Sequence, residues 1–187
     1  SFPKSSSSNS KAFGMFGHLL TENNRLIFFA TRLQGLAVAP NNPKKIYSIL
    51  DIASRKAKFI NRREGTGTRI LFDQMLDVLA VKPEEIEGYN DISDTQFFTA
   101  VQIAAGKVDV GLCTANVAKE NGLDFIPLAK EVYYLAADAK FLETEKTKNF
   151  LQFLRSYDWS EHKEQLEGYD FTGTGKVFKV SDVFTAE

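Results

Sequence analysis

The sequence has very few residues of the kinds that bind metals or form disulfides. It contains a single cysteine, Cys113, and two histidines, His18 and His162, among 187 residues. One cysteine cannot form an internal disulfide, which fits a reducing compartment. Zinc and redox-metal sites use several Cys or His ligands, and this inventory is too small for one. We therefore expect no metal cofactor and no metal-based catalysis.

The chain also lacks a strong net charge and long apolar runs. Its 23 Lys and Arg residues nearly balance its 24 Asp and Glu residues, so direct binding to nucleic acid or to a membrane surface is not expected. No apolar run approaches the roughly 20 residues of a spanning helix, and the first residues, SFPKSSSSNS, lack the apolar core of a secretory signal. We expect a cytoplasmic protein; if a signal peptide has been removed, the alternative is a periplasmic one.

Strand-like and helix-like segments alternate along the chain. Strands are predicted at 25–40 (one or two), 57–61, 108–114 and 124–138 (two), and helices at 46–54, 70–81, 97–106 and 115–121. Ser93-Asp94 is the expected N-cap of the third of these helices. A last amphipathic helix has an apolar side formed by Phe150, Leu151, Phe153 and Leu154. This alternation predicts the α/β class, with a largely parallel sheet and right-handed crossovers.

The segment NRREGTGTR, between a predicted strand and a predicted helix, has the features of an anion site. A helix start leaves backbone N–H groups unpaired and carries roughly half a positive charge, so it stabilises an oxyanion. Gly67 lets the backbone approach closely, and Thr66 and Thr68 add hydroxyl donors. Arg63 or Arg69 can offer a planar fork of N–H groups to two oxygens of a tetrahedral anion.

The same residues also allow a purely structural interpretation. Thr66 or Thr68 can simply cap the helix, while the arginines pair with Glu64 and Asp73. Nucleotide motifs fit poorly, because GTGTRI lacks the third glycine of a dinucleotide fingerprint and no glycine loop ends in Gly-Lys-Ser/Thr.

Several pieces of the sequence, taken in order and with their spacing, carry a family resemblance. They are Gly17-His18-Leu19, Arg32-Leu33-Gln34-Gly35-Leu36, Asn42-Pro43-Lys44, residues 59–69, Gly88-Tyr89, Thr95, residues 104–112, residues 122–128 and Glu131. Together they resemble the periplasmic-binding-protein-like domain found with molybdopterin-biosynthesis proteins and molybdate-responsive helix-turn-helix regulators. Gln96 departs from that pattern, since the family usually has His there.

The resemblance implies a type II periplasmic-binding-protein-like fold, in which two α/β lobes with mainly parallel sheets close over an anion. Residues 1–38 plus 126–187 would form the first lobe, and residues 39–125 the second lobe with the GTGTR loop. The region before Gly17 is much shorter than in the family, so either the first lobe is shortened or part of the natural chain is absent here. Residues 1–10, rich in serine, are expected to be flexible.

Three further site candidates follow from the resemblance. Thr95 begins another predicted helix in the second lobe. Arg32, at a lobe crossing, either contacts the ligand or is a structural salt-bridge partner. Ser7 contacts the anion if the serine cluster is what remains of a ligand loop, and otherwise belongs to a flexible tail.

The leading hypothesis is a non-catalytic module that binds molybdate or tungstate as a sensor or delivery protein, with no cofactor besides that ligand. It would act with a fused or partner DNA-binding or molybdopterin-biosynthesis domain, and a homodimer would cover apolar surface left by a shortened lobe. One alternative is an exported substrate-binding protein of an oxyanion ABC transporter. Another is a substrate-positioning domain of a molybdenum-cofactor assembly enzyme, although the sequence shows no nucleophile–base pair or paired carboxylates.

Overall fold

The structure, a computed structural model, describes residues 20–184. The strands are β1 (Asn24–Val38), β2 (Phe59–Arg62), β3 (Ile92–Ser93), β4 (Val110–Thr114), β5 (Asp124–Asp138), β6 (Tyr169–Asp170) and β7 (Val177–Lys179). The α-helices are α1 (Ile49–Ser54), α2 (Gly67–Val78), α3 (Gln96–Ala104), α4 (Ala115–Glu120), α5 (Ala139–Leu142), α6 (Glu145–Ser156) and α7 (Val180–Val183). Short 3-10 helices lie at Pro83–Glu85 and Trp159–His162.

The described residues fall into two compact units. Unit 1 is Leu33–Ala129, and unit 2 comprises residues 20–32 and 130–184. The chain passes from one unit to the other within β1 and again within β5. The sequence-based lobe boundaries, at 38/39 and 125/126, fall at or near the same two strands; that these units act as lobes of a binding protein stays a prediction.

Unit 1 contains a mixed sheet with the strand order β3-β2-β4-β1-β5, so the α/β class is as predicted. Strand β2 runs parallel to both β3 and β4, whereas β1 runs antiparallel to β4 with Gln34 opposite Thr114. The expected parallel pairing therefore holds around β2 and not around β1. In the sheet, β1 lies between β4 and β5, and along the chain it is joined directly to neither of them.

Helices cover both faces of the unit 1 sheet. Successive residues of β1 alternate between two apolar clusters: Leu36 and Val38 belong to one, and Ala37 belongs to the other. The first cluster includes Phe72 of α2, and the second includes Ile103 of α3. These two layers of buried side chains hold α2 and α3 on opposite faces of the sheet.

Unit 2 is built around the first half of β1. Strands β6 and β7 both pair with it in antiparallel register, and Leu151 and Leu154 of α6 pack on Ile27. The prediction that Phe150 and Phe153 also lie on the buried side of α6 is wrong, because these side chains are 43% and 50% exposed. The buried face follows the spacing 147, 151 and 154, one narrow stripe of the helix, and the two phenylalanines flank it.

Two features are absent from residues 20–184. No helix in this range is long and apolar enough to cross a membrane. Within the same residues, no group of three or more His, Cys, Asp or Glu side chains is arranged to hold a metal ion.

Candidate functional site

Three helices of unit 1 begin at the same edge of its sheet. Strands β2, β3 and β4 are parallel, so their carboxyl ends lie together, and α2, α3 and α4 follow these strands directly or after a short loop. Each helix start presents unpaired backbone N–H groups and a partial positive charge. This is the edge at which open α/β sheets bind their ligands.

The start of α2 is set by a tight turn and a threonine cap. Gly65 has φ +79°, and Thr66 N donates to Arg63 O at 3.3 Å, so the turn needs a residue that tolerates left-handed backbone. Thr66 is the N-cap, and its Oγ1 accepts from Arg69 N at 3.4 Å. No acceptor in residues 20–184 binds the N–H groups of Gly67 and Thr68. A Cβ on Gly67 would meet nothing within 4 Å, so space beside these donors is open.

Thr68 lies at the centre of a polar cluster that joins α2 to α3. We call Gln34, Thr68, Gln96 and Thr114 the Thr68 cluster. The hydroxyl Oγ1 of Thr68 accepts from Gln34 Nε2 at 3.0 Å and from Gln96 Nε2 at 3.1 Å. On its other side, Gln96 Oε1 accepts from the backbone N and the Oγ1 of Thr114, at 3.1 and 3.0 Å.

Chemistry determines the direction of the hydrogen bonds that Gln96 makes. A backbone N–H can only donate, so the Gln96 oxygen must face Thr114 and the Gln96 amide nitrogen must face Thr68. Thr68 Oγ1 then accepts two hydrogen bonds, and its own proton remains to be donated elsewhere. No acceptor for that proton lies among the described residues. The Thr68 side chain is therefore poised as a hydrogen-bond donor.

Helix α3 is capped by Thr95, one of the predicted site residues. Its Oγ1 accepts from Phe98 N at 3.0 Å. The prediction of a Ser93-Asp94 cap is wrong, because both side chains are engaged elsewhere. Ser93 Oγ donates to Thr95 O and accepts from Thr99 Oγ1, while the Asp94 carboxylate pairs with Arg63.

Both arginines predicted within residues 61–69, Arg63 and Arg69, form ion pairs. Arg63 is exposed and pairs with Asp94 rather than with Glu64. Arg69 is buried; its Nε donates to both carboxylate oxygens of Asp73, and its guanidinium stacks on the Tyr89 ring at 4.4 Å. Burial lowers the Arg69 pKa, but hydrogen bonds to Tyr89 and Asp73 outweigh it and leave the pKa raised. The structural interpretation of the sequence thus describes Arg69 well, and its contact with an anion stays a prediction.

Arg62 is a candidate that the sequence reasoning missed. It is buried, its Nη1 donates to Ser93 O at 2.8 Å, and its Nε has no partner among the described residues. Burial lowers the pKa of this guanidinium, which makes no salt bridge within residues 20–184. The available signal was position, because Arg62 is the last residue of the buried strand β2 and Arg63 already lies outside it.

The remaining two predicted residues are Arg32 and Ser7. Arg32 belongs to unit 2, where its Nε pairs with Glu131 at 2.8 Å and its guanidinium stacks on Tyr133 at 4.4 Å. Of the two roles predicted for Arg32, the structure shows the salt bridge. A contact between Arg32 and the ligand stays a prediction. Ser7 lies outside the described residues.

The fold agrees with that of the proteins that this chain resembles. Residues 5–155 match the family model of the PBP superfamily domain. The chain belongs to this superfamily. The periplasmic-binding-protein-like part of the resemblance is thereby confirmed, and the association with molybdate stays a prediction.

The relatives include an uncharacterised Bacillus subtilis (strain 168) protein, YvgK, 34% identical over 152 residues. The match covers 81% of this chain but only 49% of that protein's length. Among solved structures, the effector binding domain of QuiR in complex with shikimate is 17% identical with a TM-score of 0.54, covering 71% of this chain and 64% of that one. L-phospholactate-bound PEB3 is 15% identical, also with a TM-score of 0.54, covering 89% and 76%.

Proposed function

We propose that the chain binds a small oxyanion at the starts of α2 and α3 and does not catalyse a reaction. The hydrogen bond from Gln96 to Thr68 carries this proposal, because it ties the first turn of one helix to the first turn of the other. An anion beside Thr68 would meet the unpaired N–H groups of Gly67 and Thr68 and the Thr68 hydroxyl proton.

The charge of the site supports the same proposal. The chain carries a formal net charge of -1, so attraction for an anion has to be local. The N-terminus of each helix contributes roughly half a positive charge. Arg62 adds a buried cation without a salt bridge in the described region, whereas the charges of Arg63 and Arg69 are offset by Asp94 and Asp73. We therefore assign the charge-assisted contact to Arg62.

Molybdate or tungstate is the ligand we favour. The hallmark segment of the resemblance, residues 59–69, contributes Arg62, Gly67 and Thr68 to this site. A sensor or delivery role in molybdenum or tungsten metabolism follows from the same resemblance, and cytoplasmic action with a DNA-binding or molybdopterin-biosynthesis partner is part of the proposal. An exported binding protein of an oxyanion transporter and a substrate-positioning domain of a cofactor-assembly enzyme are the alternatives. Because the chain spans about half of YvgK, the role of a whole protein is itself a proposal.

A small carboxylate is the second candidate ligand. Structures similar to this chain were solved with shikimate and with L-phospholactate, and both compounds carry a carboxylate group. Helix N-termini and hydroxyl donors suit a carboxylate as well as a tetrahedral anion. The size of the space beside Gly67 would decide between them.

Calorimetric titration of the purified chain at one fixed salt concentration tests these ligands. The set is molybdate, tungstate, sulfate, phosphate, shikimate and L-phospholactate. Selective binding of the first two at micromolar affinity, about -8 kcal/mol, is the expected result. A preference for shikimate over the inorganic anions would favour the second candidate. Absence of heat with all six compounds would refute the proposed function.

Two arginine substitutions locate the site. Arg62→Met should weaken binding about tenfold or more, since a hydrogen bond to a charged group contributes about 1.5–3 kcal/mol. Arg55→Met is the matched control, because Arg55 is an exposed residue of unit 1 paired with Asp51. Equal affinities of the two variants would show that the anion lies elsewhere. Thermal melting of each variant separates lost binding from lost folding.

A further inference from the structure

Unit 2 contains a cavity of its own, of about 420 Å³. Its lining includes Leu154, Arg155, Tyr157, Trp159, Phe171 and Lys176. All of these residues belong to unit 2, and none belongs to the Thr68 cluster. The volume falls in the range of roughly 300–1,000 Å³ that small-molecule sites occupy.

The aromatic wall of this cavity has a fixed geometry. Trp159 and Phe171 stack with ring centroids 4.5 Å apart and planes 8° apart. Tyr157 meets the Trp159 ring edge-on, with centroids 4.8 Å apart. Trp159 Nε1 also donates to Leu154 O at 3.3 Å, which holds the indole in place. Because Trp159 and Phe171 stack on each other, the wall offers apolar aromatic surface other than their two stacked faces, and it offers little to an inorganic ion.

Two cations line the same cavity without carboxylate partners. Arg155 donates through Nε and Nη2 to the carbonyl oxygen of Gly175, at 3.0 and 2.9 Å, which orients the guanidinium but leaves its charge uncompensated. The end of the Lys176 side chain lies 3.4 Å from where a Cβ of Gly173 would be. Neither cation forms a salt bridge with another residue in 20–184. The cavity thus combines an aromatic wall with unpaired positive charge.

We propose that this cavity binds a small aromatic carboxylate. The ring would pack on the wall formed by Tyr157, Trp159 and Phe171, and the carboxylate would accept from Lys176 and Arg155. The site is separate from the Thr68 cluster and takes a ligand of a different class. It gives the chain a second ligand beyond the oxyanion of the proposed function.

Trp159 is the only tryptophan of the sequence, so intrinsic fluorescence reports this cavity directly. Phenylacetate is the probe, and 2-phenylethanol, which has the same ring without the charge, is the matched neutral compound. We expect a saturable fluorescence change with phenylacetate and about tenfold weaker binding to the Lys176→Gln variant. Lys146→Gln is the control, because Lys146 is an exposed lysine of α6 that does not line the cavity.

Three outcomes would overturn the inference. They are a linear rather than saturable response to phenylacetate, equal affinity for phenylacetate and 2-phenylethanol, and equal affinity of Lys176→Gln and Lys146→Gln for phenylacetate. Calorimetry with phenylacetate checks that the fluorescence change reports binding. Oxyanion binding is tested by calorimetry with inorganic anions and by the Arg62 variant, whereas the cavity is tested by Trp159 fluorescence and the Lys176 variant. Failure of one proposal is therefore distinguishable from failure of the other.

Discussion

Replacing Thr68 by valine tests the central feature of the site, the hydroxyl that joins α2 to α3. Valine keeps the shape of threonine but cannot accept the hydrogen bonds from Gln34 and Gln96. Thr68 is 4% exposed and Gln34 is 0% exposed, so water cannot replace the lost acceptor for the Gln34 amide. A buried donor deprived of its acceptor costs about 1–3 kcal/mol. With Gln96 only partly buried, we expect Thr68→Val to lower the free energy of unfolding by about 2–4 kcal/mol.

Urea unfolding measures this loss. Far-UV circular dichroism follows the whole chain, while Trp159 fluorescence follows unit 2, so the two signals show whether the loss is confined to unit 1. Thr68→Ser is the matched control, since it keeps the acceptor and removes one methyl group, at a cost of about 1 kcal/mol. A valine variant as stable as wild type, or no less stable than the serine variant, would refute the assignment of Thr68 as the link between the helices.

Three other substitutions and conditions have defined outcomes. Gly111→Ala should destabilise the protein by about 1–3 kcal/mol in urea unfolding, because its Cβ would lie 2.5 Å from Thr99 Cγ2. Gly67→Ala meets open space and should leave the melting temperature unchanged or raised, yet weaken oxyanion binding in calorimetry, since the methyl group occupies the approach to the N–H donors. Burial raises the pKa of the Cys113 thiol to about 12, so a chromogenic thiol reagent should react only at the rate of unfolding. A raised folded-state pKa adds stability below the unfolded value of about 8.5, and this contribution should decline as the pH rises from there towards 12.

Local sequence patterns predicted the longer helices and strands but not all of their ends. They did not predict the short elements β3, β6, β7, α5 and α7, and they divided the single strand β5 in two. Apolar periodicity located α2 from residue 70, whereas the helix begins at Gly67 because Thr66 caps it. Gly106 and Gly122 each lie just after a helix and have positive φ, so local sequence marks these two helix ends. Patterns of one to four residues contain this information, because caps and turns are made by near neighbours.

The contacts that assemble the site could not be predicted in this way. The Arg69–Asp73 pair spans one helical turn, and the sequence did suggest it. Gln34 and Thr68 are 34 positions apart, and Arg62 and Ser93 are 31 apart. Such pairs depend on the order of strands in the sheet, and in particular on β1 lying beside β4. Without knowledge of that strand order, the sequence gives no reason to choose Arg62 over Arg63 as the arginine that contacts the anion.

The identity of residue 96 determines how the site responds to acid. The family that the sequence resembles usually has His there, and an imidazole gains a positive charge near pH 6.5. In this chain Gln96 holds Thr68 and Thr114 through a neutral amide, and no member of the Thr68 cluster titrates between about pH 5 and 8. Oxyanion affinity should therefore change in that range only as the anion itself gains or loses protons.

Gln96→His should restore a response to acid. Titrations of both proteins with sulfate, carried to the high concentrations that this weaker ligand needs, are decisive because sulfate does not gain a proton in this pH range. We expect the affinity of the variant to rise below about pH 6.5, since an imidazolium beside Thr68 adds one positive charge, while the wild-type affinity stays level. If the sulfate affinities of the two proteins change with pH in the same way, the anion does not lie beside Gln96. It would then not lie at the starts of α2 and α3 either.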